Sequence, residues 1–521
     1  MEIIENKALL LKVRNPHRIT AVIPKSKIIE QGRNPTDISK VLVSWGLEEA
    51  QVLKNLGIKN VPSPITLKYG WPGIYKPFDH QRATASFLTL HRRAFCFNEP
   101  GTGKTSAMAW ASDYLMTKGY IKRVLVICPL SIMHSAWRAD LFKTVMHRGV
   151  DVAHGDRKKR TAIIKGDAEY VIINFDGVET VLPDLKAGGF DLIIVDEANA
   201  VKTATTKRWK AINELITPDT WVWMATGTPA SQSPTDAYGL AKMMNPSSVP
   251  KYFYAFRDSV MTKVTQFKWA PKPHAKEVVN KVLQPAVLFT KEECLDLPEL
   301  LYTTRDVPLT PQQAKYYNLL KEQFTIHAAG ETVTAVNAAT NLNKMLQVSC
   351  GAAYTDDGNV IEFDISHRYN VLLEAIEEST HKVLVFVPYK NAIRLLEERL
   401  AKDGYTVATV DGSVSVGQRT DIFHRFQTTP DPKILIIQPA AASHGVTLHA
   451  ANTVVWWSPV TSNEIYHQAN ARVHRAGQKN PCLVVRLCGS GAERGLYKSL
   501  DAKTEDMNNL LGLYKEVLAS D

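Results

Sequence analysis

The stretch Ala94-Phe95-Cys96-Phe97-Asn98-Glu99-Pro100-Gly101-Thr102-Gly103-Lys104-Thr105 decides how this 521-residue chain is read. Four mostly apolar residues make a short strand pattern. A loop with two glycines follows and ends in Lys-Thr, and a helical pattern starts near Thr105. Strand, glycine loop and helix in that order are what a phosphate cradle needs. Glycines let backbone N–H groups close around the oxygens, and the helix N-terminus adds partial positive charge. Asn98, Glu99, Pro100, Gly101, Thr102, Gly103, Lys104 and Thr105 are therefore the expected nucleotide loop. Lys104 is expected to reach the β and γ phosphates, and the Thr105 hydroxyl to bind magnesium. Asn98 stands where the general pattern has Gly, at the residue that opens the loop. The plain alternative is a glycine-rich turn before an ordinary helix, and the flanking context weighs against it.

Further along, Asp196-Glu197 closes the apolar run Leu192-Ile193-Ile194-Val195. Two adjacent carboxylates at the end of a buried strand are costly unless something binds them. Asp196 is expected to hold magnesium, and Glu197 to orient and deprotonate the attacking water. A helix N-cap is the competing reading. Similar runs occur at Val124–Ile127, Tyr170–Ile173, Val383–Val387, Ile434–Ile437 and Val454–Trp457. Continuous apolar runs alternating with helical patterns indicate parallel sheets covered on both faces. Two sets imply an α/β chain with two lobes, 71–298 and 299–521. Helical protrusions are expected at about 232–295 and 310–365. Residues 1–70 read as a small β-rich accessory unit. Leu9–Val13 and Ile19–Ile23 flank Asn15-Pro16-His17 as a hairpin, and Leu47–Leu56 reads as a helix stopped by Gly57. Pro62, Pro64, Pro72 and Pro77 mark a linker.

Composition narrows the class. Hydrophobic residues make up 45%, enough for a large core, which excludes a disordered chain. No window approaches the roughly 18 apolar residues of a membrane span, and the acidic start is unlike a signal peptide. A soluble cytoplasmic protein is expected, at a nucleoid or a viral replication site. The nucleus stays open because Arg157-Lys158-Lys159-Arg160 reads either as a nuclear address or as a solvated turn. The 62 Lys and Arg exceed the 52 Asp and Glu by ten, which favours a polyanionic partner. The six cysteines show no C-x-x-C pair, so a structural zinc site is not expected.

These residues now carry a family likeness. Their order resembles helicase superfamily two, and within it the Swi/Snf-type DNA translocases. Phe78-Asp79-His80-Gln81 is similar to the adenine-reading segment, with Gln81 on the base. Cys128-Pro129-Leu130-Ser131 followed by Trp137 is similar to the first DNA-contacting motif. Asp196-Glu197-Ala198-Asn199 stands where the family has Asp-Glu-Ala-His, and Thr226-Gly227-Thr228-Pro229 resembles the third motif. Gln468, Arg472, Arg475, Gly477 and Gln478 match Gln-x-x-x-Arg-x-x-Arg-x-Gly-Gln at full spacing. Gly489-Ser490-Gly491-Ala492-Glu493 stands where relatives have a Gly-Thr-x-Glu brace. The likeness covers about 75 to 515. It implies two tandem RecA-like lobes with nucleotide between them and duplex DNA across both. Gln468, Arg472 and Arg475 then act on the γ phosphate. The arginines lie three apart, on one face if the segment is helical, and cations placed there are worth about 10³–10⁵ in rate.

Residues 251–290 hold seven Lys or Arg and two acids, with Phe267 and Trp269 among the lysines. Such a segment suits a phosphate backbone or is simply solvated. Ser131, Trp137, Lys202, Lys268, Lys272, Ser413 and Ser443 are the expected DNA contacts, without sequence preference. His80, His444 and His474 read as core or surface residues, and no catalytic His is assigned. The expected protein is a monomeric, stand-alone microbial or viral ATPase that translocates on double-stranded or branched DNA. An unwinding helicase and a nucleotide-switched binding module are the alternatives. Lys104→Ala is expected to abolish phosphate release. Glu197→Gln is expected to abolish it while nucleotide stays bound; undiminished release in Glu197→Gln would refute its assigned role.

Overall fold

The apolar runs become the inner strands of two parallel sheets. The structure is a computed structural model that describes residues 1–34, 37–227, 229–230, 233–265, 269–294, 296–330, 335–354, 359–442 and 446–504. Among these, the chain divides into two compact units, 1–294 and 296–504.

The first unit opens with strands β1 (Glu2–Ile4), β2 (Ala8–Val13), β3 (Ser26–Glu30) and β4 (Ser39–Ser44). They pair antiparallel in the order β1-β2-β4-β3. Alternate residues share a face, so Leu9 and Leu11 lie opposite Val43 and Val41, and all four are buried. They join one apolar cluster with Leu53, Ile65, Leu88 and Trp110. The N-terminal sheet and the lobe that follows therefore share an interior. Each such side chain contributes about 1.5–3 kcal/mol on burial. The expected hairpin around Pro16 does not form, because β2 pairs with β1 and β4 instead. Pro16 sits at φ −67°, ψ −29°, which starts the helical turn His17–Thr20. Ile19 and Ile23, four apart, are both buried. The helix Leu47–Asn55 forms as read, with Gly57 at φ +84° behind it.

The sheet of this lobe contains β5 (Arg93–Cys96), β6 (Val124–Cys128), β7 (Val150–Val152), β8 (Tyr170–Asn174), β9 (Leu192–Asp196) and β10 (Trp221–Ala225). A short antiparallel hairpin follows, β11 (Met261–Lys263) with β12 (Trp269–Pro271), and then β13 (Ala286–Val287) returns to the sheet. The order is β13-β5-β10-β9-β6-β8-β7, with every pair parallel. The helix Lys104–Thr117 is buried from Ser106 to Met116, so it runs through the core rather than along a surface. Between β10 and β13 lie helices Ala237–Met244, Phe253–Val260 and Ala275–Val282. Arg157 to Arg160 open a helix, Arg157–Ile164, capped by Asp156, and do not form a turn.

The second unit repeats the scheme with β14 (Leu300–Asp306), the small pair β15 (Ala352–Tyr354) and β16 (Val360–Glu362), then β17 (Lys382–Phe386), β18 (Val407–Val410), β19 (Ile434–Ile437), β20 (Ala451–Trp456) and β21 (Cys482–Cys488). Its parallel sheet runs β14-β21-β20-β17-β19-β18. Helices Pro311–Gly330 and Ala335–Cys350 occupy the expected protrusion. A buried ion pair ties the end of this sheet to its covering helix. Arg368 and Glu493 meet at 2.8 Å with side chains 3% and 0% exposed. Glu493 also accepts from the Gly489 and Ser490 N–H groups and the Ser458 hydroxyl. Glu493→Ala strands a buried guanidinium and is expected to destabilise this unit by about 3–5 kcal/mol. Urea denaturation of the full chain measures it, and an unmoved transition would show the pair to be dispensable.

Candidate functional site

In an open parallel sheet, ligands gather at the carboxyl ends of the strands. Three of the motifs leave neighbouring strands there. The loop 98–103 follows β5, Thr226-Gly227 follows β10, and Asp196-Glu197 ends β9, in the sheet order β5-β10-β9. Sequence spacing alone does not give that adjacency; the strand order does.

The loop is held from several sides. Gly103 caps the helix Lys104–Thr117 in the left-handed region, at φ +77°. A Cβ there would come within 2.1 Å of Gln81 Nε2, so the position excludes a side chain twice over. Gln81 donates to the Thr102 and Gly103 carbonyls and accepts the Phe78 N–H. It is thus buried against the loop rather than presented openly to a base. His80 Nε2 meets the Thr102 carbonyl at 2.7 Å, so a histidine read as an ordinary core residue supports the loop. Asn98 Nδ2 donates to the Thr84 hydroxyl at 2.8 Å, which gives the residue at the departure from Gly an anchoring role. Lys104 Nζ donates to the Asn98 carbonyl at 2.8 Å and lies inside the loop it closes. Thr102 Oγ1 donates to the Glu99 carbonyl, and Glu99 Oε2 accepts the Lys291 N–H. Gly227 abuts Pro100, where an added Cβ would fall 2.5 Å from Pro100 Cδ, so the third motif rests on the loop.

Asp196 is the electrostatic centre. Burial pushes its carboxyl above the usual range, while the Lys104 ammonium, the Trp137 N–H and the Glu197 N–H oppose that shift. Trp137 Nε1 donates to Oδ2 at 2.8 Å and the Glu197 N–H to Oδ1 at 2.9 Å. Glu197 itself has φ +51°, ψ +53°, a left-handed conformation uncommon away from glycine. Such strain tends to be kept where it aims a functional group. A buried carboxylate and a hydroxyl at the start of the adjoining helix are hard oxygen donors, and they fit magnesium. Among the described residues no group of three or more His, Cys, Asp or Glu side chains is placed to hold a metal ion. Burial also pushes the thiol of Cys96, at the end of β5, up to about 11.

Trp137 requires a correction. It is expected at a DNA surface, yet its side chain is wholly buried. It belongs to a π-helical turn, Met133–Arg138, whose wider winding directs the indole inward to Asp196. A buried ring cannot touch a phosphate backbone. Ser131 lies just before it, in the turn Leu130–Ile132, partly exposed. Lys202 pairs with Asp236 at 3.1 Å, and Lys272 donates to the Asp258 carbonyl. Lys268 and Ser443 lie outside the described residues, as do Thr228, Phe267 and His444.

In the second unit, Gln468 lies in the helix Asn463–Asn470 and is buried. The arginines do not share a helical face, because that helix stops at Ala471. The Leu448 N–H donates to the Arg472 carbonyl and draws the chain off the helix axis. Both guanidinium groups nonetheless converge. Arg472 Nη1 and Arg475 Nη1 donate to the Val446 carbonyl at 3.5 and 3.1 Å, and Arg472 Nε donates to the Gln468 carbonyl. Ser413 is exposed on a separate loop, its N–H donating to Asp411 at 2.7 Å.

The SNF2-related domain model matches residues 80–351, and the Helicase conserved C-terminal domain model matches 367–477. Chromodomain-helicase-DNA-binding protein 1-like of Danio rerio is 26% identical over 455 residues, 81% of this chain and 42% of that protein. The Uncharacterized ATP-dependent helicase MG018 of Mycoplasma genitalium is 24% identical over 402 residues, 75% of this chain and 37% of that protein. The chain spans less than half the length of these relatives. The solved Sulfolobus solfataricus SWI2/SNF2 ATPase core in complex with dsDNA is 23% identical with a TM-score of 0.42, over 85% of this chain and 96% of that one.

Trp137→Phe keeps the ring's packing and deletes one hydrogen bond to a charged group, worth about 1.5–3 kcal/mol. The expected outcome is at least about a tenfold loss in the magnesium-dependent part of fluorescent-ATP binding, with the thermal midpoint nearly kept. Unaltered magnesium dependence would reduce Trp137 to a packing residue.

Proposed function

The chain belongs to the SNF2-related family of ATP hydrolases, and from that premise we propose that it couples hydrolysis to movement along double-stranded DNA. The work done would be displacement of bound proteins or remodelling of branched junctions. The observation that carries this reading is the set of adjacent strand ends, where the loop of Lys104, the Asp196-Glu197 pair and Gly227 meet.

Each residue has a physical task. The backbone N–H groups of 99–104 and the helix N-terminus favour the polyphosphate. Lys104, whose ammonium donates to the Asn98 carbonyl inside the loop, supplies the positive charge for the phosphates. Thr105 and Asp196 would hold magnesium, whose charge offsets that of the phosphates when it is bound. Glu197, fixed by its backbone at the end of β9, orients the attacking water and takes its proton. The Trp137 hydrogen bond keeps the Asp196 carboxylate aimed while it waits for cations. Ser131 sits in the turn just before the π-helical segment that bears Trp137. Contact with a DNA backbone at that turn therefore has a short route to Asp196, along the chain to Trp137 and across its hydrogen bond. The basic segment 251–290, which includes Lys272, adds non-specific attraction that weakens with salt.

A triplex-displacement assay with linear duplex tests the motor. ATP-dependent release of the third strand, with the duplex left intact, is the expected result. Release of duplex strands at stoichiometric protein would establish an unwinding helicase in its place. No phosphate release at saturating DNA would establish a nucleotide-switched binder.

A further inference from the structure

Away from the nucleotide loop, the first unit contains a cavity of about 430 Å³. The loop 202–205, the turn Pro234–Asp236, the helix Ala237–Met244 and residues 251–253 enclose it. That volume is in the range of sites that bury a small ring system. Its rim continues into three consecutive large rings, Tyr252, Phe253 and Tyr254, exposed at 54%, 45% and 57%. Clustered apolar exposure of this kind marks an interaction site more often than a bare surface.

The rings are held in place. Tyr252 and Tyr254 lie parallel, with centroids 5.6 Å apart and 8° between planes. Phe253 packs edge-on against the buried Tyr238 at 5.5 Å. Lys242 Nζ donates to the Tyr238 hydroxyl and to the Lys251 carbonyl, which stitches the loop to the helix. Lys251 lies 5.4 Å over the Tyr252 ring. The lining has three ammonium groups, from Lys202, Lys242 and Lys251, and one carboxylate, Asp236, already paired with Lys202. Threonine hydroxyls at 203, 205 and 235 supply donors and acceptors around the wall.

That chemistry selects among occupants. An ammonium rim rejects a metal ion and suits a purely apolar partner poorly. Aromatic faces want a planar ring, hydroxyls want a polar ring edge, and the lysines want an anion beside it. We propose that this cavity takes an unpaired base of a DNA strand, stacked against Tyr252 and Phe253, with the adjoining phosphate on Lys251. The proposal rests on the DNA reading above and adds to it a preference for DNA with an extrahelical base, as at a bulge or branch point. Lys202, expected from the sequence to meet DNA, lines the same cavity.

The test is fluorescence anisotropy of the full chain with two duplexes of one sequence, fully paired or carrying a single bulged thymine. Stacking of one base on an aromatic side chain predicts about tenfold tighter binding of the bulged duplex. Tyr252→Ala with Phe253→Ala should erase that preference and keep affinity for the paired duplex. Lys251→Glu, an exposed position that leaves the rings intact, should lower it as well, and thermal midpoints check that both variants fold. Equal binding of the two duplexes by the wild type, or a preference that survives both variants, overturns the proposal while leaving the DNA reading intact. Binding of neither duplex overturns both. Free thymidine monophosphate that binds as tightly as the bulged duplex would overturn the assignment to a strand.

Discussion

A carboxylate stays charged inside an apolar sheet only if partners replace the water it has lost. Asp196 is nine-tenths buried at the end of β9 and has three such partners, the Lys104 ammonium, the Trp137 indole and the Glu197 N–H. They come from three different places: the nucleotide loop, the π-helical turn after β6, and the turn that follows β9. Any arrangement that satisfies Asp196 therefore fixes those elements relative to one another. The site is assembled by the same need that makes the carboxylate tolerable. A ligand that brings its own cations changes the terms for all three partners together.

The geometry also explains why backbone strain appears at Glu197. An extended residue would continue the strand, with its side chain on the face opposite that of Asp196. Glu197 instead takes left-handed φ and ψ, which turn the chain off the strand into the turn Ala198–Val201. Its N–H donates to Asp196 Oδ1 at 2.9 Å, so the residue that leaves the strand also supports the acid that ends it.

Much of this was legible from residues alone. Each apolar run proposed as an inner strand of the two lobes is one, because four or five consecutive buried positions leave few alternatives in an α/β chain. The nucleotide loop was legible because glycine and lysine at that spacing have a physical task. Three things were not. Pro16 reads as part of a hairpin turn, although proline starts a helical turn as readily as it ends a strand. The spacing of the arginines gives one shared face only if the segment is helical; the helix ends at Asn470, and the Arg472 carbonyl accepts the Leu448 N–H instead. Trp137 is a DNA contact by family resemblance, and the π-helical turn that carries it buries the indole against Asp196. Register, helix termination and winding all depend on long-range hydrogen bonds, which periodicity does not carry.

The interior shared by the N-terminal sheet and the first lobe bears on how the chain can be cut. Trp45 is buried and donates its indole N–H to the Pro62 carbonyl, and Tyr69 bonds the buried Asp113 in the helix that follows the nucleotide loop. Removing the first seventy residues would bare one flank of that helix to solvent and take a partner from Asp113. A shortened chain that starts at the nucleotide-binding lobe would thus begin with an open wound along the element that presents Lys104, and loss of turnover in it would say nothing about a separate role for the missing piece.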